Sequence, residues 1–86
     1  MKKTLYKSVV VTNEALELEY FLLESEVVFE QEKIVVYGIE VSKNHDEVKS
    51  VKNISSSINR TQKILHTLAE KTVTPISLID VLEDII

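Results

Sequence analysis

Eighty-six residues with no cysteine amount to one domain that no disulfide or thiolate metal site can staple. Apolar residues make up 44%, too many for a disordered chain, yet they never gather into the ~20-residue run of a membrane span, so a soluble intracellular protein is expected. The net charge of −4 weighs against nucleic-acid binding, which draws on a surplus of Lys and Arg along a phosphate backbone.

Charge is segregated along the chain. Lys2, Lys3 and Lys7 stand in residues 1–13 without an acid. Residues 14–32 hold glutamates and no base, 33–71 are mixed with a modest basic excess, and 72–86 return to acids alone. Lys7 interrupts the apolar run behind Lys2 and Lys3, so no secretory signal is expected.

The first half reads as sheet. Residues 4–12 are rich in β-branched and aromatic types, with Leu5, Val9 and Val11 on one parity and Tyr6 and Val10 on the other. Asn13-Glu14 is a turn. A second strand is predicted over 16–23, where Leu16, Leu18, Tyr20 and Leu22 form a buried face and the intervening glutamates mark the solvent side. Glu24-Ser25-Glu26 should bend or break it before a short strand over 27–30. Glu30-Gln31-Glu32-Lys33 is a polar turn. The strongest strand covers 34–43, with Val35, Tyr37, Ile39 and Val41 on one parity. Gly38, the only glycine, sits inside it and marks a bulge or the close approach of another element, such as a crossing helix.

Residues 42–53 are mostly polar and charged, which predicts a loop. Ser55-Ser56-Ser57 offers capping oxygens for a helix over 56–71. At roughly 100° per residue, Ile58, Ile64, Leu65, Leu68 and Ala69 share one face with Thr61. Thr74 then caps a second helix over 75–85, with Pro75 at its first position, where a missing N–H costs nothing. Strands first and helices last predict α+β: an antiparallel meander of three to four strands with both helices on one face.

No catalytic set emerges, so no enzyme, cofactor or metal is expected. One glycine cannot build a phosphate-cradling loop. His66 and His45 read as surface residues, and Asp80, Glu83 and Asp84 as a solvated helix face. Those acids nonetheless oppose the dipole at their helix end, and a basic partner would relieve them; Arg60, Lys63 and Lys71 are internal candidates. The glutamates of 14–32 are expected to guard exposed strand faces and edges against aggregation, the alternative being a surface for a basic partner. The apolar stripe of the last helix serves mainly the core, and any exposed part would dock a protein partner or a second copy. Asp80, Leu82, Glu83, Asp84 and Ile86 are therefore the candidate partner-binding residues. A different class of function would use a small-molecule pocket between sheet and helices, lined by Tyr20, Tyr37, His66 and the C-terminal acids.

Tyr37-Gly38-Ile39-Glu40-Val41, Ile64-Leu65-His66-Thr67-Leu68-Ala69-Glu70 and the run from Val73 to Asp84 together resemble a family of small proteins from clostridia and related Firmicutes, catalogued as a domain of unknown function. The resemblance spans most of the chain and implies a bacterial cytoplasmic protein. It implies no activity and no site residues.

Overall fold

A computed structural model describes residues 1–85 of the chain. Its four strands are β1 (Lys2–Val11), β2 (Leu16–Phe29), β3 (Glu32–Lys43) and β4 (Glu47–Ser55). All neighbours are antiparallel, and strand order in the sheet follows the chain. The helices α1 (Ile58–Glu70) and α2 (Leu78–Ile85) come after the strands and pack against the sheet, giving an α+β fold.

Alternation in the middle strands builds the core. Leu18 and Tyr20 of β2 lie beside Val41 and Ile39 of β3 and meet Ile64, Leu65 and Leu68 of α1 and Leu78 and Leu82 of α2. The Tyr20 ring is fully buried and its hydroxyl donates to the Val73 carbonyl at 2.9 Å, so the phenol has a partner. Burial disfavours the phenolate and pushes the Tyr20 pKa up to about 12.

Side chains and backbone close both ends of α1. The Ser57 hydroxyl accepts from the Arg60 amide at 3.2 Å, while Thr61, fully buried, donates to the Ser57 carbonyl at 2.9 Å. At the other end Thr72 takes φ 49°, and two amides fold back: Thr72 to the Ala69 carbonyl and Val73 to the Leu68 carbonyl. This is the paired left-handed cap that glycine usually provides, with the buried Val73 closing it. Pro75 opens a single 3₁₀ turn, Pro75–Ser77, ahead of α2. Thr74 stands before that turn, but its hydroxyl faces the Ser77 hydroxyl at 3.4 Å and bonds no helix amide.

Three local features depart from the expected pattern. In β1 the register shifts between Leu5 and Lys7, leaving Tyr6 as an extra residue. Leu5, opposite Phe21, is thereby half exposed, whereas Tyr6 and Val9 pack on the core, although Leu5 and Val9 share a parity. Glu24-Ser25-Glu26 does not break β2, which runs unbroken for 14 residues with a partner on β3 at each of these positions. The polar stretch expected to be a loop contains β4. Its alternation is hidden because two extra residues fall between Val51, opposite Ile39, and Ser55, opposite Tyr37, with Asn53 at φ 56°. Gly38 lies opposite that irregularity. What approaches it is the β4 backbone, not a helix: a Cβ there would sit 2.4 Å from the Val51 carbonyl oxygen.

Candidate functional site

The apolar stripe of the last helix goes mainly to the core. Leu78 and Leu82 are buried, and Val81 and Ile85 pack partly against the same cluster. Ile86 lies outside the described residues. Asp80, Glu83 and Asp84 are exposed, and among the described residues no ion pair reaches them. Arg60, Lys63 and Lys71, the internal candidates, do not come within bridging distance. The outward flank keeps two large apolar side chains, Ile76 at 86% exposed and Ile79 at 40%. Val51, Ile79, Leu82 and Glu83 line a shallow apolar depression of about 330 Å³ against β4. A second hollow further along β4 is lined by Val48, Pro75 and Ile76.

The other exposed apolar surface is the far end of the β2–β3 hairpin. β1 stops pairing at Lys2 opposite Glu24, and β4 stops at Ser55 opposite Tyr37. Residues 25–36 thus continue as a two-stranded arm in which each strand pairs only with the other. The molecule is drawn out accordingly, measuring 51 × 24 × 19 Å. Val28 is 72% exposed, Phe29 61% and Val35 38%, and Val27, Ile34 and Val36 are only partly covered. A two-stranded ribbon with no layer over it is marginal in water, and exposed apolar edges are what folded proteins normally avoid. The turn at its tip adds strain: Glu30 and Gln31 both take positive φ, 50° and 68°, in a two-residue hairpin that favours Asn-Gly.

The remaining polar side chains pair with close neighbours in space. The imidazole of His45 lies between two carboxylates, 3.4 Å from Glu17 and 3.0 Å from Glu19, pinning the β3–β4 turn to the start of β2. Asn44 fastens the same turn, its side-chain oxygen accepting from the Glu17 amide at 2.8 Å. His66 pairs with Glu70 one helical turn away at 2.9 Å. On the sheet face away from the helices, Glu40 accepts from Lys3 at 2.9 Å and from Ser50 at 2.7 Å, and the Lys3 ammonium also sits 4.7 Å from the Phe21 ring centre. Burial alone would raise the Glu40 pKa, but the Ser50 hydrogen bond and the Lys3 hydrogen bond and charge outweigh it and hold the carboxyl below its ordinary value.

Tyr20, Tyr37, His66 and the C-terminal acids do not converge on one pocket. Tyr20 is sealed in the core, Tyr37 stands at the root of the arm, and His66 is on the exposed side of α1. His66 instead lines an open cleft of about 640 Å³ between β1 and α1 with Tyr6, Asn59, Gln62, Lys63 and Thr67. Among the described residues no group of three or more His, Asp or Glu side chains is placed to hold a metal ion. Among the described residues no helix is long and apolar enough to cross a membrane.

The whole chain, residues 1–86, matches the family described as Family of unknown function (DUF6514). The chain belongs to that family. No curated protein and no solved structure matches it. Within this DUF6514 chain, the surface that sequence reasoning missed is the arm. Its signal was present: two apolar triplets, Val27-Val28-Phe29 and Ile34-Val35-Val36, flank a polar tip. Both parities are apolar in each triplet, so no single covered face accounts for them.

Proposed function

We propose that this chain is a small bacterial cytoplasmic interaction protein without catalytic activity, and that it binds another protein through its β2–β3 arm. One observation carries the reading: an apolar ribbon with Val28 and Phe29 mostly in solvent extends past both flanking strands. Such exposure costs stability and solubility, and a partner would recover both. The net charge of −4 favours a protein over a nucleic acid as that partner. The cysteine-free composition fits a reducing compartment. The flank of α2 and β4 around Ile76 and Ile79 is a second apolar surface, smaller and rimmed by Asp80 and Glu83.

A small-molecule role would fall to the cleft between β1 and α1, where Tyr6 and His66 share a wall. Its floor offers little. The Thr67 hydroxyl is spent on the Lys63 carbonyl and His66 on Glu70.

The test is Phe29→Asp in tagged protein recovered from its own host. Phe29 is 61% exposed, so the variant should fold, with a change in stability of no more than about 1 kcal/mol. A protein retained by the natural chain and lost with the variant supports the arm as the binding surface. Equal recovery by both, or recovery of nothing by either, refutes it.

A further inference from the structure

The fold itself shows which kind of strand the arm's β2 edge accepts. β1 occupies that edge from Leu16 to Glu24 and brings Lys2, Lys3 and Lys7 with no acid among its residues. β2 then runs five residues further, to Phe29; Met1 and Lys2 share a hollow with Ser25 and Glu26 at the start of this stretch, and among the described residues no strand lies beside it. Resting on the reading of the arm as a docking surface, we propose that an extended, lysine-rich and apolar strand of another protein adds to this edge beside residues 25–29, continuing the place of β1.

Backbone geometry prepares the edge. A two-residue turn makes Phe29 and Glu32 a hydrogen-bonded pair, so Val27 with Ile34 and Ser25 with Val36 are bonded inward as well. The N–H and C=O groups of Glu26 and Val28 then point away from β3, in step with Glu24 and Leu22, which face β1. An added strand finds these groups unpaired, and strand addition takes its affinity from such main-chain bonds.

Side chains choose the occupant. Glu26 stands on this open edge beside Val28, with Glu24, opposite Lys2, at its root and Glu30 in the turn at its tip, whereas the outward positions of the β3 edge are Lys33, Val35 and Tyr37. A cationic strand therefore prefers the β2 side. A second copy of the arm does not suit it. Antiparallel pairing about a two-fold axis at Val27 sets Glu26 against Val28 of the other copy, and no lysine of the second arm stands opposite an acid.

The probe is a ten-residue synthetic peptide alternating lysine and valine, with a glutamate–valine peptide as its counterpart. Titrated into the isotope-labelled protein, the lysine peptide should move the amide signals of Glu26 and Val28 more than those of Lys33 and Val35. The glutamate peptide should bind at least about tenfold more weakly. Val28→Pro removes an outward N–H without touching a β2–β3 bond and should weaken binding about tenfold or more. Val35→Pro, its equivalent on the β3 edge, should leave binding within about twofold. Glu26→Lys, an exposed substitution that leaves the backbone intact, should also weaken binding and carries the test if the proline variant fails to fold. The proposal fails if the two peptides bind alike, if neither binds, if Val35→Pro weakens binding as much as Val28→Pro, or if sedimentation shows a dimer that Val28→Pro dissociates. A host partner lost with Phe29→Asp but kept with both Val28→Pro and Glu26→Lys would leave the arm as the binding surface and overturn the edge assignment alone.

Discussion

Gly38→Ala tests how β3 and β4 are held together. Gly38 does not take a positive φ; its lack of a side chain matters for space alone. A methyl group there would stand 2.4 Å from the Val51 carbonyl oxygen, 2.8 Å from the Lys52 Cα and 3.2 Å from the Val51 carbonyl carbon. Ordinary contact lies at about 3.5 Å or more, so roughly 1 Å must open between the strands. All three obstructing atoms are backbone, so no side chain can swing aside and β4 itself has to move. Movement there disturbs the Ile39–Val51 pair, and with it a partly buried valine against the core. Overpacking typically costs 1–3 kcal/mol, and a contact this close with rigid atoms places the cost near about 3 kcal/mol. A domain of this length has roughly 4–13 kcal/mol in total, and each kcal/mol lost lowers the melting temperature by about 4–8 °C. Urea unfolding followed by circular dichroism should therefore show a clear fall in midpoint, with melting more than about 10 °C lower. A change of under about 0.5 kcal/mol would refute the reasoning and mean that β4 does not press on Gly38.

Three further outcomes follow from packing and titration. Thr72→Gly should stabilise the protein by about 1 kcal/mol in the same assay, because a β-branched residue sits at the left-handed cap of α1. Leu82→Asp places a carboxylate in the core and should cost about 4 kcal/mol or more, whereas Ile79→Asp on the outward flank should stay within about 1 kcal/mol; equal effects would mean that the stripe of α2 does not divide as described. Tyr20 has a raised pKa in the folded protein, so its contribution is complete below about pH 10 and is lost as pH rises toward about 12, up to roughly 3 kcal/mol. Tyr20→Phe should be less stable at neutral pH, having left the Val73 carbonyl unpartnered, but should lose less between pH 10 and 12; parallel alkaline melts for the two proteins would rule this out.

Much of the architecture was legible because period and burial agree where a layer covers one face. Leu18 and Tyr20 alternate with glutamates, and Ile39 and Val41 alternate with Glu40 and Ser42, where α1 and α2 lie over the sheet. In α1 the expected stripe matches the buried set of Thr61, Ile64, Leu65, Leu68 and Ala69, and Ser57 supplies the expected cap. Ile58, counted in that stripe, is 38% exposed because it sits at the helix end, beyond the main contact. What failed was reading through irregularities. One extra residue at Tyr6 and two between Val51 and Ser55 reverse or scramble the alternation on the strands flanking the sheet, so β4 looked like loop.

The layout bears on function, because the apolar surface left uncovered is the arm, while the stripe of the last helix is used mainly in the core. The two-sidedness of the C-terminal stripe is what a core-facing helix needs, and Leu78 and Leu82 are used there. In the arm the apolar residues fall on both parities, a pattern that suits a strand covered on both faces. Burial requires a neighbour, and the register shows where neighbours end: at Glu24 on one side and Tyr37 on the other. Beyond those points Val27, Val28, Phe29, Ile34, Val35 and Val36 keep a core's composition without a core's surroundings. The two strained residues at the tip, Glu30 and Gln31, fit the same account. Asn-Gly would relax that turn, whereas Glu30 places a further acid just beyond Phe29 at a positive φ.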